Sequence, residues 1–255
     1  MPASPFVWYE LMTSDLPAAE TFYKAVVGWN TEPMGGTEMP YIQAKVGETG
    51  VAGLMNIPPD AAAMGAPPAW VGYIYAADVD AATESVKGAG GQVFRAPSDI
   101  PNIGRFSVVT DPQGAVFMLF QPVGAAGGEG FQAGTPGTIG WRELYANDWE
   151  KAFAFYAGQF GWTKDQAIEM GPMGTYQLFS IDGQQSGGMM NKPAEMPSPA
   201  WGYYFNVDAI DAAAARVTQN KGQILMGPME VPGGSWIINC IDPQGAYFSL
   251  VAAKR

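Results

Sequence analysis

WYELMTSDLPAAETFYKAVVGW, residues 8–29, returns 133 positions later as WRELYANDWEKAFAFYAGQFGW, residues 141–162. Nine of the 22 positions are identical: Trp8/Trp141, Glu10/Glu143, Leu11/Leu144, Asp15/Asp148, Ala19/Ala152, Phe22/Phe155, Tyr23/Tyr156, Gly28/Gly161 and Trp29/Trp162. A second set of matches follows at an offset of 131: Pro68-Ala69-Trp70 with Pro199-Ala200-Trp201, Tyr73 with Tyr204, Asp80 with Asp211, and Pro97 with Pro228. The run DPQGA occurs at 111–115 and again at 242–246. Two ordered sets of matches at nearly one spacing are the mark of an internal duplication. The chain therefore reads as an N-terminal domain, 1–122, a Gly-rich linker, 123–138, and a C-terminal domain, 139–255. Small residues and glycines through PVGAAGGEG (122–130) and FQAGTPG (131–137) make the joint flexible.

Each half divides again. Phe6–Met12 alternates large side chains and reads as a strand. Asp15 is placed to N-cap a helix, because its carboxylate can accept the free amide hydrogens of the first turn, where Pro17 is tolerated. Ala18, Ala19, Phe22, Tyr23 and Val26 give that helix an apolar face, and Gly28 ends it. Short strands are expected at Trp29–Glu32, Tyr41–Lys45 and Gly50–Ile57. The order then repeats: strand Trp70–Ala76, helix Asp80–Ala89, and strands Gln92–Arg95, Arg105–Asp111 and Ala115–Gln121. DPQG makes the last turn, with proline presetting φ and glycine supplying a positive φ. The expected order is β-α-β-β-β, twice per half and four times in the chain.

Composition narrows the function classes. With 255 residues, 47 % of them hydrophobic, the chain can bury one or two real cores. The formal net charge of −11 repels phosphate backbones and anionic membranes, so neither nucleic acid nor a membrane surface is an expected partner. Met1-Pro2-Ala3-Ser4-Pro5 has no basic or apolar leader character, and no stretch reaches 18 apolar residues, so the expected location is cytoplasmic. The single cysteine, Cys240, excludes an internal disulfide and a cysteine-based zinc cluster. There is no histidine. That excludes Ser-His-Asp and Cys-His catalysis and any His-ligated iron or zinc.

The strand, then Asp, then Ala-x-x-Phe-Tyr, then Gly-Trp, and later DPQGA before a last strand, resembles the vicinal oxygen chelate superfamily. That group includes glyoxalase I, the extradiol dioxygenases and the bleomycin and fosfomycin resistance proteins. The resemblance covers both halves and is closest to tandem glyoxalase-like bacterial proteins, some of them named hydroxylases. It implies an α+β tandem vicinal-oxygen-chelate fold, in which four βαβββ modules form curved mixed sheets with cup-like cavities. It implies a small organic molecule as ligand, and an intramolecular pseudo-dimer of the two halves. In metal-using members, His, Gln or Glu ligands stand on the first and last strands. By the motif spacing those positions fall at Trp8 and Trp141, and at Met118 and Ser249. The strands Trp70–Tyr75, Trp201–Asn206, Gly53–Met55 and Gly188–Met190 add no carboxylate or imidazole. A divalent site needs three or four donors in fixed geometry, so no cofactor is expected and a divalent metal is disfavoured.

The candidate site residues follow from strand alternation. Phe6, Trp8, Glu10 and Met12 share one face. A carboxylate beside tryptophan in an apolar cup can act as a general acid or base, which makes Glu10 and Glu143 the catalytic candidates. The structural alternative gives each Glu a buried hydrogen bond to backbone or to a Tyr hydroxyl. Trp8, Trp141, Trp70, Trp201, Tyr73 and Tyr204 are candidates to bind a flat ligand, with core packing as the alternative for each. Met118 and the other methionines suit an irregular apolar cup. Arg105 could hold an anionic ligand group; its alternative is surface solvation. Phe22, Tyr23, Phe155 and Tyr156 are assigned to the core, as is Cys240. Two classes of function stand open: a small-molecule binder without the family's metal, and a metal-independent lyase, isomerase or hydroxylase with Glu10 or Glu143 as acid/base. A third option leaves one half as scaffold only.

Overall fold

The structure is a computed structural model that describes residues 3–35, 39–124 and 131–255; residues 125–130 of the expected linker, and the first two residues of the chain, lie outside the described residues. The N-terminal half runs β1 (Phe6–Thr13), α1 (Leu16–Val27), β2 (Asn30–Met34), β3 (Tyr41–Val46), β4 (Thr49–Asn56), a short helix α2 (Pro59–Ala63), β5 (Ala69–Tyr75), α3 (Val79–Gly88), β6 (Val93–Ile100), β7 (Gly104–Thr110) and β8 (Val116–Pro122). The C-terminal half repeats it as β9 (Ile139–Ala146), α4 (Trp149–Phe160), β10 (Thr163–Glu169), β11 (Thr175–Ile181), β12 (Gln184–Asn191), β13 (Ala200–Asn206), α5 (Ile210–Gln219), β14 (Gln223–Glu230), β15 (Trp236–Ile241) and β16 (Tyr247–Ala252). The four βαβββ modules are present as expected, in two eight-stranded mixed sheets of equivalent order, β2-β3-β4-β1-β5-β8-β7-β6 and β10-β11-β12-β9-β13-β16-β15-β14.

Local chemistry fixes the helices. Asp15 and Asp148 cap α1 and α4, accepting from the Ala18 and Lys151 amides at 3.1 Å each; such caps are worth about 1 kcal/mol. Gly28 and Gly161 close the same helices in the left-handed region, at φ 88° and 70°. The third helix starts one residue earlier than expected, at Val79, because Asp78 caps it by accepting from the Ala81 amide. Strand β6 also runs on through Pro97 to Ile100, where the sequence reads as loop. It is the last strand of its sheet, and its register to β7 shifts on both sides of Arg95. A proline is tolerated on such an edge, where its missing N–H is not needed for pairing.

The sequence halves coincide with the two sheets but not with the compact units. One unit comprises Met1–Val7, Val71–Gly127 and Arg142–Gly202; the other comprises Trp8–Trp70, Gly128–Trp141 and Tyr203–Arg255. Each thus draws material from both halves, and the same aromatic core explains both. In the second unit Tyr23 of α1 lies against Trp29 and Trp70 of its own half, and against Phe205 and Phe248 of the other. The Tyr23 hydroxyl donates to Asp242 Oδ2 at 3.1 Å and accepts from Trp70 Nε1 at 2.8 Å. In the first unit Tyr156 of α4 packs on Trp162, Trp201 and Phe117. Its hydroxyl donates to Asp111 Oδ2 at 3.3 Å and accepts from Trp201 Nε1 at 2.9 Å. The aspartates are those of the two DPQG turns. Their other oxygens accept turn amides, Gln113 and Ala115 on Asp111, Gln244 and Ala246 on Asp242. Burial raises both aspartate pKa values above the ordinary carboxylate value, against the lowering effect of these hydrogen bonds. Burial, and then the charge of Asp242, pushes the Tyr23 phenol up as well. Cys240 is buried as expected, and its thiol is pushed up to about 12.

Two outcomes follow. Residues 1–122 produced alone would leave Tyr23 without Asp242 and Phe248. That fragment should run as a dimer or as unfolded chain in light-scattering chromatography; a cooperatively melting monomer would contradict the exchanged packing. The second concerns pH. A carboxyl whose pKa is raised by folding stabilises the fold below its unfolded value, and this contribution is lost as pH rises through the folded value. Asparagine does not titrate. The Tm of the Asp111→Asn/Asp242→Asn variant, relative to wild type, should therefore improve as pH rises from about 3 to about 7; a difference that is flat or shrinks would overturn the assignment.

Candidate functional site

Alternation along β1 separates two jobs. Leu11 is fully buried and Tyr9 packs edge-on against Tyr203 at 5.2 Å. Trp8, Glu10 and Met12 point from the opposite face of the strand. There the Trp8 indole donates to the Tyr41 hydroxyl at 2.9 Å, and Tyr41 is also hydrogen-bonded to Glu10. Burial first, and the Glu10 charge second, raise the Tyr41 pKa well above that of a free phenol. Glu10 itself is only 6 % exposed.

A glycine makes this arrangement possible. Glu10 on β1 pairs with Gly53 on β4, and Gly53 pairs in turn with Gln43 on β3. Tyr41 lies two residues along β3, and its ring crosses over Gly53 toward Glu10. A Cβ at Gly53 would stand 1.8 Å from the Tyr41 hydroxyl oxygen. The second copy is built alike. Glu143 on β9, 7 % exposed, pairs with Gly188 on β12. A Cβ at Gly188 would meet Tyr176 of β11, 2.2 Å from its Cζ. Glu143 also accepts a hydrogen bond from Tyr145, which stands where the first copy has Met12. Both carboxylates are thus held by tyrosine hydroxyls. Trp141 is half-buried on β9.

The other expected residues separate. Tyr73 pairs with Met118 across β5 and β8, and Tyr204 pairs with Ser249 across β13 and β16. Both pairs are buried, on the strand faces opposite Phe117 and Phe248. Trp70 and Trp201 do not share that face. Three residues from Tyr73 and Tyr204, they point the other way and spend their indole N–H groups on Tyr23 and Tyr156. Arg105 is tied up at the surface, with Nε and one terminal nitrogen on Asp80 at 2.7 and 2.9 Å and the other on Asp99 at 2.9 Å. The guanidinium holds the Asp80 pKa down. A cavity of about 430 Å³ beside it is lined by Asp99, Asn102, Arg105 and Gln121, but its arginine is already neutralised. Sequence reasoning missed Tyr41, Tyr176, Gly53 and Gly188. The available signal was a glycine in the middle of an otherwise regular strand, which marks a close approach.

The pattern that defines the Glyoxalase/Bleomycin resistance protein/Dioxygenase superfamily matches residues 6–119 and again 138–250. The chain belongs to that superfamily. Among its relatives is CFP32 of Mycobacterium tuberculosis, provisionally named a glyoxylase, which is 34 % identical over 249 residues, 96 % of this chain and 93 % of that one. The anthracycline biosynthesis protein DauV of a Streptomyces species is 29 % identical over 266 residues, covering 100 % of this chain and 94 % of that one. The Mn(II)-bound glyoxalase of Novosphingobium aromaticivorans shares the fold, with a TM-score of 0.66 at 19 % identity over 99 % of this chain and 82 % of that one.

A glyoxalase-superfamily fold thus can carry a metal, and the donor set of this chain can be tested for one. Among the described residues, no three His, Cys, Asp or Glu side chains gather to hold an ion. The expected ligand positions present an indole at Trp8, an indole at Trp141, a thioether at Met118 and a neutral hydroxyl at Ser249. Divalent ions of the hard and borderline kind are held chiefly by carboxylate, imidazole or thiolate donors, and neither an indole nor a thioether replaces these. The residues present do not fit a divalent centre of that kind.

Gly53→Ala should cost about 1–3 kcal/mol through overpacking against Tyr41. Combined with Tyr41→Ala, which removes the obstructing ring, most of that penalty should vanish. Denaturant melts of the four proteins form the double-mutant cycle, and additive losses would show that the ring does not lie over Gly53.

Proposed function

We propose that this chain is a small-molecule-binding member of the superfamily. It takes a flat, largely apolar or aromatic, uncharged organic ligand on the sheet faces opposite the helices, without a divalent metal. The observation that carries this is the Trp8–Tyr41–Glu10 cluster. At a position where metal-using relatives place a ligand, the chain presents an indole whose N–H is already satisfied. Such a surface offers a ring a broad stacking partner, with polar groups at its rim. Buried Glu10 and Glu143 disfavour an anionic ligand, and Arg105 is engaged with two aspartates. The name of the relative DauV, an anthracycline biosynthesis protein, supports a polycyclic aromatic class.

A second reading rests on the same carboxylates. A glutamate buried on a ligand-binding face and hydrogen-bonded to a tyrosine hydroxyl can take a proton from a bound substrate. The tyrosine is then placed to stabilise negative charge that develops nearby. Glu10 or Glu143 would serve as acid/base in a metal-independent lyase, isomerase or hydroxylase, and the glyoxylase name of CFP32 supports that class.

Native mass spectrometry of the full chain, purified from the producing cells without chelators, tests both. A bound organic mass is expected. A stoichiometric metal ion would overturn the metal-free reading. Glu10→Gln and Glu143→Gln should keep the same adduct in a binder. In an enzyme one of them should trap an adduct of different mass, the unreacted substrate.

A further inference from the structure

The duplication supplies an internal control for every residue of the sheet faces. In the N-terminal half, strands β5, β7 and β8 present Tyr73, Val108, Val116 and Met118 on the face away from the helices. Met118 pairs with both Tyr73 and Val108. In the C-terminal half the positions 131 residues later are Tyr204, Asn239, Tyr247 and Ser249, and Ser249 pairs with both Tyr204 and Asn239. The strand register is the same. Three apolar side chains, however, have been replaced by an amide, a phenol and a hydroxyl.

These groups form one cluster. Asn239 Nδ2 donates to the Tyr247 hydroxyl at 2.6 Å, and Ser249 Oγ lies 3.4 Å from the same oxygen. Asn239 is 5 % exposed and Ser249 fully buried. Their orientation follows from the neighbours, since Ile238, Cys240, Phe248 and Leu250, fully buried, take the alternate positions of the same strands. Asn239 Oδ1, buried, has no hydrogen-bond partner among the described residues. The scaffold does not demand this, because the first half builds the same sheet with two valines and a methionine. An unpaired buried carbonyl is unfavourable, and native structures rarely keep one without a ligand, ion or water to satisfy it.

We propose that the two halves take different ligand groups: the Asn239–Tyr247–Ser249 cluster is a subsite for a hydrogen-bond donor, a hydroxyl or N–H carried by an otherwise aromatic ligand, whereas Val108, Val116 and Met118 at the equivalent positions offer only apolar surface. Asn239 Oδ1 accepts the donor's proton. Tyr247 fixes the amide by occupying its Nδ2, so that the oxygen and not the nitrogen faces the ligand. This inference rests on the reading of the sheet faces as ligand-binding, and it assigns a specificity to one of them.

The test uses two probes with the same ring and the same oxygen, 2-naphthol, which donates, and 2-methoxynaphthalene, which cannot. Calorimetric titration of the full chain should show 2-naphthol bound about tenfold more tightly, the discrimination expected from one hydrogen bond to a buried group. Asn239→Val, which copies the first half, should remove that preference while retaining affinity for the ether. Asn239→Ala serves if the valine variant melts early. Equal binding of the two probes by wild type would overturn the donor subsite, with water as the partner of Asn239, and leave the ligand-binding reading intact. A preference that survives in Asn239→Val would also overturn it. Failure of both probes to bind wild type would overturn the ligand-binding reading for aromatic molecules and the subsite with it.

Discussion

The hydrogen bond between a helix tyrosine and a turn aspartate from the opposite half holds this architecture together. Tyr23 reaches Asp242, and Tyr156 reaches Asp111. A buried carboxylate is unfavourable unless it is fully bonded, and each of these is bonded to a phenol and to the amides of its own turn. The phenol in turn accepts an indole N–H, so each chain of bonds runs Trp–Tyr–Asp without an unsatisfied member. Removing any part exposes the rest to the full penalty of desolvation. Because the aspartate and the tyrosine come from different halves, the fold cannot be divided at the linker into two self-sufficient pieces. The duplicated sequence behaves instead like two subunits that have been joined, each bringing a helix tyrosine to a turn aspartate of the other.

Much of this was legible in the residues. The four βαβββ modules, the capping aspartates and closing glycines of α1 and α4, and the burial of Phe22, Tyr23, Phe155 and Tyr156 all follow from periodicity and local chemistry. Three things did not. Asp78 hid behind Asp80, since either can begin the same helix. The strand character of Pro97–Ile100 was masked by a proline, which reads as loop unless the strand is known to be an edge. The exchange of modules between halves was invisible, because the matched positions of a repeat say what is equivalent and not what is in contact.

The candidate site was legible only in part, for a related reason. Alternation places Trp8 with Glu10 correctly, because they lie two apart on one strand. It also separates Trp70 from Tyr73, three apart, and aromatic character alone cannot override that parity. The partner of Glu10 lies on another strand, brought close by the absence of a side chain at Gly53. Such a contact depends on cross-strand register, which no single strand carries.

The duplication is most informative where its copies disagree. A position that both halves fill alike, such as Gly53 and Gly188 or Tyr23 and Tyr156, can be explained by the fold, since both copies must solve the same packing problem. A position filled by valine in one copy and by a buried asparagine in the other cannot be explained that way. The first copy is proof that the apolar solution folds. The same reasoning applies at Met12 and Tyr145, where one copy adds a phenol beside its glutamate and the other does not. The scaffold is thus symmetric, while the groups it presents are not. A chain of this construction can carry two faces of unlike polarity, which a dimer of identical subunits cannot do.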